Sequence, residues 1–153
     1  MALACKPDVL IADEPTTALD VGVQARILLL LKRRNRETGL PIVLITHDIG
    51  VVAAMATRVL VMYAGHVQEE AAVADLLDRP LHPYTRALIG AIPDPDAPPG
   101  DRSYIEGEPP DLADPMPGCR FAPRCALAEA RCHRDLPALR EAGPGRFVRC
   151  HLA

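Results

Sequence analysis

Residues 8–20 read DVLIADEPTTALD, and this stretch decides the fold. An apolar run, Val9 to Ala12, drives directly into the adjacent carboxylates Asp13 and Glu14 and then into Pro15. Four apolar residues in a row, without alternation, are the pattern of a strand buried on both faces. Like charges on neighbouring residues repel unless a cation or a proton answers one of them. The segment is either an acidic turn or the ligand-facing end of an interior strand, because open α/β sheets bind their ligands beyond the carboxyl ends of the strands.

The rhythm around this strand favours a parallel sheet. Residues 21–37, VGVQARILLLLKRRNRE, read as an amphipathic helix stopped by Gly39 and Pro41. IVLIT at 42–46 is a second interior strand, Asp48 to Thr57 tends to helix, and RVLVMYAG at 58–65 is a third strand whose continuation GHVQE turns back as a small hairpin. Alternating strand and helix is the signature of an α/β domain with crossover helices. The fold class expected is therefore α/β with a mostly parallel sheet. Two shorter helices follow, in VADLLDRP and from Pro83 in HPYTRALIGAI, with Tyr84 expected as a core or interdomain anchor. Residues 93–118 are dominated by Pro, Asp and Gly and read as an extended arm. In the last third, RCALAEARC is the one helical-looking piece.

The totals exclude several classes. A chain of 153 residues is about one domain long, and a formal charge of −3 gives no basic surface for nucleic acid. No apolar run reaches the roughly 18 residues of a membrane span, and the first residues, MALACKPDVL, lack the pattern of a secretion signal. A cytoplasmic location follows as the expectation, and in a reducing compartment clustered thiols serve better as ligands than as cystines. Cys5 is expected to act as a small hydrophobe ahead of the first strand. Cys119, Cys125, Cys132 and Cys150 offer four soft donors, with Cys125 and Cys132 on one face of a helix if that piece is helical. Such a set suits either tetrahedral zinc or an iron–sulfur cluster, and the wide spacing leans towards the cluster. His133 and His151 adjoin two of these cysteines.

A second strand end carries polar chemistry: LITHD closes its apolar run on Thr46, His47 and Asp48. An imidazole beside a carboxylate at neighbouring strand ends can orient a water against a phosphoryl group, and a carboxylate can organise hydrated Mg²⁺. LIADEPTTALD resembles the Walker B segment and D-loop of ATP-binding-cassette (ABC) ATPases, and ITHDIGVV resembles their switch-histidine segment. The resemblance implies a partial P-loop NTPase fold that binds ATP and Mg²⁺. It makes Asp13 the Mg²⁺-organising carboxylate, Glu14 the general base, His47 the switch histidine and Asp20 the D-loop aspartate.

RPLHPYTRALIGAIP, the Pro-rich arm, PPDLADPMPGCRFAPRC and GRFVRCHLA are similar to the C-terminal extension of dipeptide/oligopeptide importer ATPases. Some members of that family carry a [4Fe-4S] cluster on cysteines of the extension, which implies the same role for the four cysteines here, with Zn²⁺ as the alternative. The organisation expected is residues 1–78 as the C-terminal half of an ABC nucleotide-binding domain and 79–153 as the importer extension, with its four-cysteine segment at 119–150. The resemblance further implies work at the cytoplasmic face of the membrane with a second ATPase subunit, two transmembrane permease subunits and an external solute-binding protein. A non-catalytic module bearing a cluster or zinc is the alternative. The phosphate-binding pattern G-x-x-x-x-G-K-[ST] occurs nowhere in the chain, nor does an LSGGQ-type signature, so a C-terminal fragment without activity of its own is expected.

Overall fold

The opening apolar run forms strand β1, Leu10–Asp13, and IVLI forms β2, Ile42–Ile45. They pair in parallel with Leu10 opposite Ile42 and Asp13 opposite Ile45. Helix α1, Val21–Thr38, is the connection between them. Its start is fixed by Asp20, whose carboxylate accepts the Val23 N–H, and its end by Gly39 in the left-handed region at φ 69°. In the computed structural model, which describes residues 2–92, 105–114 and 116–153, the chain divides into two compact units, Met1–Ala56 and Thr57–Ala153.

The first unit places Leu10, Leu31 and Leu40 in a small core, closed by Leu3, Ile27, Ile42 and Met55. Helix α2, Ile49–Met55, is capped by Asp48, which accepts the Val51 N–H. β1 and β2 are buried on one face only. Ile11 is 68% exposed, Val43 50% and Ile45 49%, and these residues share the other face. The reading of both runs as doubly buried strands therefore holds for one face of the pair.

The second unit overturns the expectation of a mostly parallel sheet. β3, Arg58–Tyr63, does not extend the parallel pair; it runs antiparallel to β4, His66–Ala72, in a four-stranded sheet ordered β3-β4-β6-β5, where β5 is Arg140–Gly143 and β6 is Arg146–Val148. Of the six strands among the described residues, only β1 and β2 are parallel. The physical reason is the length of the connections. A parallel neighbour needs a crossover of a dozen or more residues, whereas two residues allow only a hairpin. Ala64 and Gly65, both at positive φ (49° and 82°), make such a two-residue turn between β3 and β4. Pro144 and Gly145 join β5 to β6 in the same way.

Val61, Ala71 and Leu76 form the core beneath this sheet, with Leu76 from helix α3, Val73–Asp78, and with Tyr84 and Leu88 from helix α4, Pro83–Gly90. Tyr84 is a core anchor, its ring 4.7 Å from that of Tyr63 and 5.3 Å from that of Phe121. The segment RCALAEARC is α-helical only in its last three residues. A short 3-10 turn, Ala122–Arg124, precedes Cys125, and helix α5 is confined to Ala130–Arg134, so Cys125 and Cys132 do not share a helix face. Of the Pro-rich arm, residues 93–104 and 115 lie outside the described residues. Ile105 and Glu106 are held by their carbonyls, which accept hydrogen bonds from the Arg124 guanidinium.

Candidate functional site

The parallel register brings Asp13 at the end of β1 beside Ile45 at the end of β2, so the residues that follow each strand emerge next to one another. The Glu14 N–H donates to the Ile45 carbonyl at 2.8 Å, which extends the ladder by one residue. Glu14 itself sits at φ 43°, a left-handed conformation that a Glu adopts only when its surroundings impose it. The turn that imposes it continues with the Thr17 N–H donating to the Glu14 carbonyl and with Ala18 at φ 62°.

This turn aims the Glu14 carboxylate at two partners. Its Oε1 lies 2.8 Å from Nδ1 of His47, two residues beyond β2, and its Oε2 accepts the Thr17 hydroxyl at 2.5 Å. The hydrogen bond from Thr17 and then that from His47 hold the Glu14 carboxyl below the ordinary carboxylate range, and the bond to Glu14 raises the His47 imidazole above its ordinary value. The pair is solvent-facing, with side chains 77% (His47) and 40% (Glu14) exposed, so its effect is local to the site rather than a source of stability. A carboxylate at a strand end with an imidazole on one oxygen and a hydroxyl on the other can accept a proton from a water brought to it.

Three of the four residues singled out from the nucleotide motifs thus gather at one sheet end: Asp13, Glu14 and His47. Asp20 is occupied as the cap of α1. Thr17 escaped the sequence reading; its one signal was a hydroxyl three residues after Glu14, within reach only once a tight turn is known. Asp48 accepts the Gln24 side-chain amide at 3.4 Å as well as capping α2, so a polar bridge ties α1 to the segment carrying His47.

The second unit holds a different cluster. Cys119, Cys125, Cys132 and Cys150 line one cavity of about 20 Å³, room for a single water, together with His82 and Phe121. Burial raises the Cys119 and Cys125 thiols above the ordinary cysteine value, partly offset at Cys119 by the backbone N–H groups of Phe121 and Ala122 and at Cys125 by that of Leu127. Four soft donors around one cavity are the right chemistry for a metal, but among the described residues no three His, Cys, Asp or Glu side chains are grouped to hold a metal ion. The iron–sulfur and zinc expectations gain no support from this arrangement. Cys5 is exposed rather than packed ahead of β1.

His82 was not foreseen as part of this cluster. Its side chain is 1% exposed and its Nδ1 accepts the Tyr84 N–H at 3.0 Å, which leaves the proton on Nε2; that atom is buried and without a partner. Desolvation pushes its pKa down to about 4, so the ring is neutral at pH 7. Below it, the fully buried Glu69 accepts the Leu81 N–H at 2.8 Å and the His82 N–H at 2.9 Å, with the Arg146 guanidinium 3.6 Å away.

Among the described residues no helix is long and apolar enough to cross a membrane. The profile described as "Oligopeptide/dipeptide transporter, C-terminal region" matches residues 68–132. A dipeptide transport ATP-binding protein of Bacillus subtilis is 49% identical over 152 residues, covering 99% of this chain and 45% of the relative. A probable peptide ABC transporter ATP-binding protein of Sinorhizobium fredii is 50% identical over 153 residues, covering 98% of this chain and 45% of the relative. The chain thus spans a little under half the length of the curated relatives it matches. A solved ATP-binding cassette bound to ADP and Pi matches 47% of this chain and 31% of its own length at 39% identity, with a TM-score of 0.44, too low to bear on the fold. Residues 68–132 thus match the C-terminal region of oligopeptide/dipeptide transporters, and along almost its whole length the chain is similar to the ATP-binding proteins of peptide transport.

Proposed function

We propose that the chain contributes the water-activating end of the nucleotide site in an ATP-hydrolysing subunit of a peptide importer. The observation that carries the reading is the 2.8 Å contact between Glu14 and His47 at the ends of two hydrogen-bonded parallel strands. In this reading Glu14 accepts the proton of the attacking water, and His47 stands between that carboxylate and the phosphoryl group being transferred. Asp13 would be the carboxylate that holds hydrated Mg²⁺. Mg²⁺ is usually bound by one or two carboxylates plus water and phosphate oxygens, so a strand-end Asp suits it without a larger protein cage. When bound, the ion neutralises charge on the phosphates. Asp20, through the turn that it ends and the helix that it caps, sets the path of the D-loop segment.

Residues 1–78 supply the Walker B, D-loop and switch-histidine part of a nucleotide-binding domain, and 79–153 the importer extension. The relatives' names, peptide and dipeptide transport ATP-binding proteins, support peptides as the cargo. Such a system comprises a second ATPase subunit, two transmembrane permeases and an external solute-binding protein, works at the cytoplasmic face of the membrane and requires no nucleic acid. The test is a chimera in which these residues replace their counterpart in the Bacillus subtilis dipeptide transport relative. Mg²⁺-dependent ATP hydrolysis near the parent's rate is the expected result, and a chimera that folds and binds ATP without hydrolysing it would refute the reading.

A further inference from the structure

The turn that follows β1 ties one residue to Glu14 twice. The Thr17 N–H donates to the Glu14 carbonyl at 3.1 Å, and the Thr17 hydroxyl donates to Oε2 of the Glu14 carboxylate at 2.5 Å. The first bond closes the turn and needs only a backbone N–H, which any residue but proline supplies. The second needs a hydroxyl, and the turn does not depend on it. Thr17 is exposed and belongs to neither hydrophobic cluster, so burial does not account for its side chain. Two consecutive turns set where the hydroxyl points. Ala18 at φ 62° and the Leu19 N–H, which donates to the Thr16 carbonyl at 3.3 Å, carry the chain on from Thr17 to Asp20, the cap of α1. Thr17 is β-branched, so its χ1 is stiff and a fixed backbone fixes the hydroxyl with it.

We propose that Thr17 is the positioning residue of the Glu14 base: its hydroxyl fixes the rotamer and the plane of the carboxylate, so that the carboxylate meets the attacking water in one orientation. The inference rests on the reading of Glu14 as that base. The Glu14 side chain is 40% exposed, and the last of its torsions is intrinsically broad. A contact to one oxygen alone leaves the carboxylate free to swing about that contact. Here Oε1 meets Nδ1 of His47 from beyond the end of β2, and Oε2 meets Thr17 from the turn, so the two oxygens are held from two separate segments. His47 is not a sufficient anchor, because in the same reading it also addresses the phosphoryl group. Thr17 has no second task, and it sits in the same turn as Glu14, so it keeps its place when the His47 contact changes. A hydroxyl that donates to a carboxylate makes a charge-assisted bond, stronger than a neutral one, and it leaves other lone pairs of the carboxylate open to a water. In this role Thr17 acts through Glu14 and exchanges no proton of its own.

The experiment has two arms. In the full chain, NMR scalar couplings across the Cα–Cβ bond of Glu14 read its χ1 distribution. One rotamer is expected in the unsubstituted chain and in Thr17→Ser, and rotamer averaging in Thr17→Val, which keeps the branched shape and removes the hydroxyl. In the chimeric subunit, Thr17→Val should lower kcat about 10-fold or more with the KM for ATP unchanged, and Thr17→Ser should recover most of the rate. Added to Glu14→Gln, Thr17→Val should lower the rate no further, because no base is left to position. A single Glu14 rotamer in Thr17→Val, a kcat indifferent to it while Glu14→Gln still stops hydrolysis, or a loss that Thr17→Ser does not recover would each overturn this inference alone. Full hydrolysis by Glu14→Gln would overturn the base assignment and the inference with it.

Discussion

Nδ1 of His47 lies 2.8 Å from Oε1 of Glu14 across the ends of two parallel strands, joining residues 33 positions apart in the chain. The Thr17 hydroxyl holds the second carboxylate oxygen, so Glu14 is gripped on both sides by groups from its own turn and from the neighbouring strand end.

The first prediction concerns how this pair titrates. Glu14 is lowered and His47 raised, so the ion pair is complete between the two values. It is lost as pH falls through the Glu14 value and as pH rises through the His47 value. An NMR titration of the His47 ring should give a midpoint above the ordinary imidazole value of 6.5. Glu14→Gln should bring it back to that value. Thr17→Val should raise the Glu14 carboxyl, and Thr17→Ser should restore it. A His47 midpoint indifferent to Glu14→Gln would mean that the contact does not persist in solution.

The second follows from His82. Its folded value of about 4 lies below the ordinary 6.5, so the unfolded chain takes up a proton at a pH where the folded chain does not. Stability should therefore be fully present above pH 6.5 and fall as pH drops towards 4, by up to about 3 kcal/mol. His82→Asn retains an acceptor for the Tyr84 N–H and should flatten this part of the acid limb in urea titrations run across that range. A wild-type limb as steep in the variant would assign the loss to other groups.

Glu69 carries the third. It is fully buried and accepts two backbone N–H groups at the entry to α4, with Arg146 nearby. Glu69→Ala leaves both N–H donors without a partner while Arg146 keeps the Arg79 carbonyl, at a cost of about 2–5 kcal/mol. Glu69→Gln keeps one oxygen acceptor and should cost less. Chemical denaturation of the two variants orders them, and equal losses would show that the carboxylate is not what caps residues 81 and 82.

What the sequence revealed, and what it hid, follows the reach of each signal. β1, α1 and β2 were legible because apolar runs and the stop at Gly39 and Pro41 are local, whereas the capping role of Asp20 emerged only in the structure. The third strand was legible as a strand but not in its partner, since its apolar run is the same whether it joins a parallel sheet or folds back through Ala64 and Gly65. β5 and β6 were invisible: REAG and RFV are only four and three residues long, too short to show a strand period. The spacing of Cys125 and Cys132 suggested one helix face, yet the helix starts only at Ala130 and the cysteines meet through loops instead. Glu14 and His47 were singled out because both follow apolar strands. Thr17 and His82 were not, because their importance comes from a positive-φ turn and from burial, which neither composition nor period records.

The most direct test is turnover by the chimeric subunit carrying Glu14→Gln. The substitution keeps the shape of the side chain and removes its ability to take a proton, so ATP should still bind while hydrolysis falls about 10²-fold or more. Hydrolysis at the unsubstituted rate with ATP bound as before would contradict the assignment of Glu14 as the base.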